Sequence, residues 1–336
     1  SKQRRLDQDP VLCKLLIQLY HKCGCAHKCM DLFYSLNHRQ DPALWNSIIS
    51  LQSRLAHYDT ALQVYTQMVI EGVFPSKVTF VCIFPICAKM KCSEEGRRVH
   101  VRVLDSEFLS DVVVGTAILN MYGRCGSSIA EAEHVFHTLL HKDIVTWNAM
   151  LLAYVEQGEG QKALQLYMHI QENGMSPDKL TTIFGLQACS TIAIEREESE
   201  LFVAQEIGKS LHSDSCKKGF EIDEFLACSL VKMYGKTNAI TEAESVFGTL
   251  SHHDVASWNT MLSVYVELMQ NQDLSLTLCF GHRALCLYRQ MGNDCTGLDP
   301  LTYVLALQAC TILVLEDGFI IKPSYMDINL LHASAM

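Results

Sequence analysis

Three asparagines follow a tryptophan in this chain, at Trp45-Asn46, Trp147-Asn148 and Trp258-Asn259. A carboxamide carries both donors and acceptors, so an asparagine held in place can match a pyrimidine edge. A nearby carboxylate can fix which way the amide faces. The plainer role for such an asparagine is to cap a helix, and aspartates at recurring positions are good turn formers. Signatures of enzymes are missing: there is no GxxxxGK[ST], no HExxH, and no HxE followed by PCxxC of the kind a zinc deaminase needs. His100, His134, His169 and His212 are scattered without a common partner, which suits packing or exposed histidines better than a general base.

Fifteen cysteines raise the question of metal or disulfides. Most occupy repeated places. Cys23 and Cys125 share one slot, in KCG and RCG, while Cys87, Cys189 and Cys310 share another. Free cysteine packs as a small apolar residue, and reduced thiols suit an intracellular compartment. Only His21, Cys23, Cys25, His27 and Cys29 depart from this pattern. Their spacing is not that of a two-by-two zinc module, so packing is expected there and no metal or other cofactor is assigned.

The elements that position these residues are helix hairpins. In DIVTWNAMLLAYVEQGEGQKALQLYMHIQENGMSPD (143–178), Trp147, Met150, Leu151 and Tyr154 fall on one helical face. Gly158 and Gly160 interrupt the pattern, Ala163, Leu166, Tyr167 and Ile170 resume it, and Gly174 with Pro177 ends it. One such hairpin cannot bury both stripes alone. The tryptophan-asparagine variant returns at intervals of 102 and 111 residues. Between its copies lie a second variant, TFVCIFPICAK (79–89), TTIFGLQACST (181–191) and TYVLALQACTI (302–312), and a third, LCKLLIQLYHKCG (12–24), VGTAILNMYGRCG (114–126) and LACSLVKMYGKTN (226–238). Units in fixed rotation imply an all-α solenoid. We place them at 10–41, 42–76, 77–111, 112–143, 144–178, 179–223, 224–254, 255–299 and a partial 300–315, with 316–336 unassigned. The charged insert EREESELFVAQ (195–205) reads as a solvated excursion, and a second insertion falls near 267–282. No apolar run reaches the ~18 residues of a membrane span. The chain starts without methionine and its last unit is incomplete, so a fragment with no visible targeting peptide is expected.

Units of the form VTWNAML-AY…G…AL-LY…M…G-SPD, alternating with two variants over nearly the whole chain, resemble pentatricopeptide repeats of the plant-type class, in which standard, long and short repeats rotate. The resemblance implies a right-handed α-solenoid that binds single-stranded RNA with one nucleotide per repeat, in a mitochondrion or chloroplast, together with other RNA-processing proteins. It also implies a code in which the fifth residue of a unit meets the base and the last residue supports it. On this chain Asn46 with Ser76 would favour cytosine, Thr116 with Asp143 guanine, and both Asn148 with Asp178 and Asn259 with Asp299 uracil. Lys14–Asp41, Val81–Asp111, Ile183–Asp223 and Cys228–Asp254 depart from the code, so the implied core is C-N-G-U-N-N-U. Val113 and Val145, at the second position, would wedge between bases.

Net charge is −10, from 27 basic and 37 acidic residues, a poor total for a polyanion ligand. Its distribution is more favourable. The thirteenth position holds Lys22, Arg54, Lys89, Arg124 and Lys236, and Glu156, Thr191 and Glu267 break the series. A cation there can meet phosphate or offset the helix dipole. The expectation is RNA binding in editing, processing, splicing or stabilisation, without catalysis. The rival is a helical-repeat scaffold that holds a protein partner.

Overall fold

The computed structural model describes residues 10–36, 39–126, 129–193, 198–220, 224–270, 274–293 and 297–317. Among them are seventeen α-helices, α1 to α17 in chain order, and no strand. The first helices of successive hairpins are α1 (Pro10–Lys22), α3 (Pro42–Arg54), α5 (Lys77–Met90), α7 (Val112–Cys125), α9 (Ile144–Glu156), α11 (Lys179–Ile192), α13 (Glu224–Lys236), α15 (Val255–Met269) and α17 (Pro300–Asp317). The second helices are α2 (Ala26–Ser35), α4 (Tyr58–Ile70), α6 (Ser93–Leu104), α8 (Ile129–Thr138), α10 (Gly160–Glu172), α12 (Glu198–Lys217), α14 (Ile240–Thr249) and α16 (Leu274–Asn293).

Two bodies divide the chain, Ser1–Gly158 and Glu159–Met336. In each, a first helix packs on the first helix of the next hairpin, and the second helices pack between two first helices, except α10, which packs on α11. The first body stacks α1, α3, α5, α7 and α9 in this way, and the second stacks α11, α13, α15 and α17. This is the all-α, solenoid-type arrangement the repeats require.

Three aromatic locks recur inside the bodies. Trp45 meets Phe33 edge-on at 4.7 Å, Trp147 meets Phe136 at 5.0 Å, and Trp258 meets Phe247 at 5.2 Å. Each joins the fourth residue of a first helix to the preceding second helix, in the geometry that ring quadrupoles favour. A tyrosine latch adds a polar version. Tyr122 and Tyr234 lie 2.9 Å from His100 and His212 Nδ1, while Tyr154 and Tyr265 donate to Glu133 and Glu244. His100 and His212 therefore do share a partner pattern, each sitting 22 residues before its tyrosine. The partner is conformational rather than local, so it does not show in short-range spacing. Burial lowers the pKa of His100.

The turn inside a hairpin has one fixed requirement. Its left-handed position is filled by Gly24, Ala56, Lys91, Gly126, Gly158 and Asn238, with φ between 52° and 79°. Side chains other than glycine cost energy there. First helices also approach closely: a Cβ on Gly123 would lie 2.8 Å from the Ala153 Cα.

Where it is described, the first insert is not an excursion, and residues 195–197 and 271–273 of the two inserts lie outside the described residues. Residues 198–205 lie inside the 20-residue α12, with Ala204 buried and Glu200 bonded to Gln161. Their Glu, Leu, Ala and Gln content favours helix and includes no glycine or proline. Most of 267–282 likewise extends α15 and α16. Helix α17 continues to Asp317, past the expected fade at Leu315, and the tail assignment beyond it lies outside the described residues. Cys29 is buried and donates to the Ile17 carbonyl, while Cys23 and Cys25 are exposed. Burial pushes the Cys87 and Cys189 thiols up to about 12. Among the described residues no helix is long and apolar enough to cross a membrane.

Candidate nucleic-acid interface

The last residue of one repeat begins the next. Asp41, Ser76, Asp111, Asp143, Asp178 and Asp254 are the N-caps of α3, α5, α7, α9, α11 and α15. Asp299 accepts the Thr302 N–H at the start of α17. A short oxygen-bearing side chain there satisfies amides that the helix itself cannot. The capping function therefore belongs to these residues. Asn46, Asn148 and Asn259 lie a full turn further in and are nearly buried, as is Thr116.

Asn46, Asn259 and Thr116 are then joined to the following cap. Asn46 Nδ2 donates to Ser76 Oγ at 3.0 Å, and Thr79 Oγ1 donates to Asn46 Oδ1 at 2.7 Å. Asn259 Nδ2 donates to Asp299 Oδ1 at 2.9 Å, with Thr302 Oγ1 2.8 Å from Asn259 Oδ1. Thr116 reaches Asp143 through one intermediary, its hydroxyl lying 3.0 Å from Thr146 Oγ1, which donates to Asp143 at 2.8 Å. Three of the four expected pairs are thus brought together, two directly and one through a hydroxyl. For the fourth, Asn148 is buried in the first body and Asp178 caps α11 in the second through Thr181. The Thr302 and Asn259 donors hold the Asp299 carboxyl below its ordinary value, against the opposing effect of burial.

The repeats expected to depart from the code are built differently. Asp111 caps α7 through the Val113 and Val114 N–H groups and is bonded to Lys77 Nζ at 2.7 Å. Burial pushes this carboxyl up, but the ammonium and the two amides outweigh it and leave its pKa low. Val81, at the fifth position of that repeat, has nothing to offer a base edge. Ile183 is buried and apolar, and burial raises the Cys228 thiol. The Lys14 side chain and Asp223 lie outside the described residues.

Around these junctions, the second residue of six of the first helices is a large apolar residue that is exposed. Val113 and Val145 are 49% and 57% exposed. Val78, Leu180, Phe225 and Leu301 hold the same position and are exposed as well. Counting two residues from each cap would have found them. The thirteenth-position cations separate into two groups. Lys22, Arg54, Lys89 and Arg124 are exposed, with Lys89 set 5.4 Å from the Tyr58 ring centroid. Lys236 is half-buried and paired with Glu267 at 2.7 Å. Glu267 is the thirteenth residue of the next repeat, so an acid that interrupts the series also neutralises its neighbour.

Comparison with known proteins agrees with this architecture. A model of the PPR repeat family matches residues 142–190. A pentatricopeptide repeat-containing protein of Arabidopsis thaliana is 29% identical over 263 residues, which is 78% of this chain and 36% of that protein. A chloroplastic pentatricopeptide repeat-containing protein of the same plant is 28% identical over 305 residues, 90% of this chain and 53% of its own length. The chain thus spans between about a third and about half of these relatives. The crystal structure of PPR10 from maize superposes with a TM-score of 0.55 at 16% identity, covering 97% of this chain and 53% of that one. The structure of PPR10 with an 18-nt psaJ RNA element superposes with a TM-score of 0.51 at 17% identity, covering 98% and 47%. Its motif rotation, its relatives and its stacked hairpins make this chain similar to pentatricopeptide repeat proteins over most of its length, with the family model itself matching residues 142–190.

Proposed function

We propose that the chain binds single-stranded RNA base by base along its first helices, without catalysing a reaction. The junction network carries this reading: a buried amide or hydroxyl at the fifth position is held by the cap of the next helix and has hydrogen-bonding capacity to spare. Asn46 and Asn259 each use one amide hydrogen and one oxygen lone pair internally, leaving one of each for a base edge. The exposed apolar residues beside them suit the faces of bases, which stack on apolar side chains. On this reading Asn46–Ser76 takes cytosine, Thr116–Asp143 guanine, and Asn148–Asp178 and Asn259–Asp299 uracil, while Val113 and Val145 separate neighbouring bases. Lys22, Arg54, Lys89 and Arg124 follow phosphate, and Lys236 contributes less because Glu267 holds it. The repeats run as drawn from residue 10 to residue 315, in the plant-type rotation of three kinds. Relatives described as chloroplastic support an organellar setting, in which the chain guides other RNA-processing proteins.

The test is an anisotropy titration with RNA containing CNGUNNU, with scrambled RNA, and with the Asn148→Ala protein. Selective binding that is lost on substitution is expected, with a log–log salt slope of about −0.7 per neutralised phosphate. Equal weak binding to both RNAs would leave only unspecific charge attraction. No binding at low salt would remove the proposal. The net charge of −10 favours a second reading, a scaffold for a protein segment, in which peptide binding would be insensitive to competing RNA.

A further inference from the structure

Two second helices of the first body, α4 and α6, leave a cavity of about 310 Å³ between them. That is near the lower end of the ~300–1,000 Å³ of small-molecule pockets. Val69, Ile70 and Val99 give it apolar walls, and Tyr65, Glu95 and Arg102 bring polar groups to it. Tyr65 is 7% exposed, and its hydroxyl makes no hydrogen bond among the described residues. A buried hydroxyl is rarely left so. Burial pushes this phenol up to about 12, with the Arg102 guanidinium acting against that rise and Glu95 adding to it. Hydroxyl, cation and carboxylate therefore share one small space.

The same place in the second body is built differently. Tyr167 of α10 corresponds to Tyr65, in ALQLYM against ALQVYT. Its phenol shares a hydrogen bond with the Thr182 side chain. In α5 the residue corresponding to Thr182 is Phe80, which can supply none. The register of α6 against α12 is marked by Gly96 and Gly208, which lie against Met121 and Met233, and by the His100 and His212 latches. In that register Asp214 stands where Arg102 does, and it acts on Tyr167 with the opposite sign. The first body thus joins a hydroxyl without a partner to a cation, whereas the second joins a partnered hydroxyl to an acid.

The remaining partners set the charge of what fits. Arg98 is bonded to Glu95 at 2.7 Å and lies 3.8 Å from Glu94. Arg102 is exposed and has no partner among the described residues. One free cation beside one acidic group suits a monoanion, and Glu95 would repel a phosphate dianion. A carboxylate can accept from a guanidinium and from the phenol hydroxyl together. We infer that the α4–α6 cavity binds a small organic monocarboxylate, with Arg102 and the Tyr65 hydroxyl on the carboxylate and Val69, Ile70 and Val99 around its apolar chain. The exposed Arg102 side chain turns inward to meet it. The site lies on second helices, so it goes beyond RNA reading and stands or falls without it.

A methyl NMR titration of the whole chain with hexanoate, hexanamide and inorganic phosphate tests this, following the Val69, Ile70 and Val99 methyls. Hexanoate is expected to shift them saturably, and the other two probes are not. Arg102→Gln and Tyr65→Phe should each weaken hexanoate binding by about tenfold or more, the size of a hydrogen bond to a charged group. Tyr167→Phe, in the second body, should change it by less than about twofold. Unchanged Ile48 and Ile118 methyls report that the first body of each variant is folded. If Tyr65→Phe disturbs the packing, Arg102→Gln, made at an exposed site, decides. The inference is overturned if hexanoate gives no saturable shift, or if hexanamide or phosphate matches it. Hexanoate binding that survives either substitution in a folded protein, or that falls as far in Tyr167→Phe, overturns it as well.

Discussion

The junctions after the second and third repeats share a backbone plan and differ in what their carboxylate or hydroxyl is free to do. Both end in a cap, Ser76 for α5 and Asp111 for α7, and both turns contain a left-handed residue that is not glycine, Ala56 and Lys91. At the first, the cap holds Asn46 and a threonine completes the network. At the second, Lys77 occupies the cap carboxylate, and Val81 at the fifth position carries no polar side-chain atom. On the proposed function, capping and support of a base-reading residue are separable functions of one residue. A repeat can keep the first, and so its fold, while giving up the second.

Removing the cap should expose this difference most strongly. Asp143→Ala and Asp111→Ala should each cost ~1–2 kcal/mol in denaturant melts, because each frees amides at a helix start. Only Asp143→Ala should also abolish preference for guanine at its RNA position; equal RNA effects from the two would break the comparison. Next in size is a transplant. Val81→Asn alone should create little base preference, whereas Val81→Asn with Lys77→Met should create one of about tenfold, since the carboxylate is then released. Anisotropy with RNAs varied at that base decides it. A single variant as selective as the double would show that Lys77 does not sequester Asp111.

The shared backbone predicts a smaller and symmetrical effect. Ala56→Gly and Lys91→Gly should each raise stability by ~0.5–1 kcal/mol, the left-handed strain relieved less the entropy cost of glycine. Unequal gains would mean that the two turns are not equivalent. Smallest is the electrostatic effect. The folded-state pKa of Asp111 lies below its ordinary value, 3.8, so its contribution is complete above that value and is lost as pH falls through the lower one. Lys77→Met should move the Asp111 titration upward in a carboxyl NMR experiment. The stability change should stay under ~1 kcal/mol, because Lys77 is 43% exposed and solvent screens the pair.

Much of this was legible in the sequence because it is written in short periods. Trp45, Trp147 and Trp258 mark the fourth helical position, and the Asp or Ser before each apolar stripe marks a helix start. What stayed hidden depends on partners a whole repeat away. Lys77 and Asp111 are 34 residues apart, and Lys236 and Glu267 occupy one position in consecutive repeats. The His100–Tyr122 latch crosses from one hairpin to the next in the same way. Composition misled in the inserts, where charge suggested solvent but Glu, Leu and Ala propensity extended a helix. Nor could the left-handed turn be recognised at Ala56 or Lys91, where no glycine announces it.

The sharing of a cap between neighbours bears on how such arrays can be cut and rejoined. A hairpin excised from its first helical residue to its last helical residue would leave behind the group that holds its own fifth residue. Cutting just after the cap would keep that pair together but take away the residue on which the next helix starts, and would still leave the third-position threonine with the neighbour. The smallest piece that can be moved with its chemistry intact therefore runs from one cap to three residues past the next. Duplication or shuffling of whole hairpins, in a genome or in a designer's hands, would preserve the stack at almost any splice point while scrambling its vocabulary at most of them.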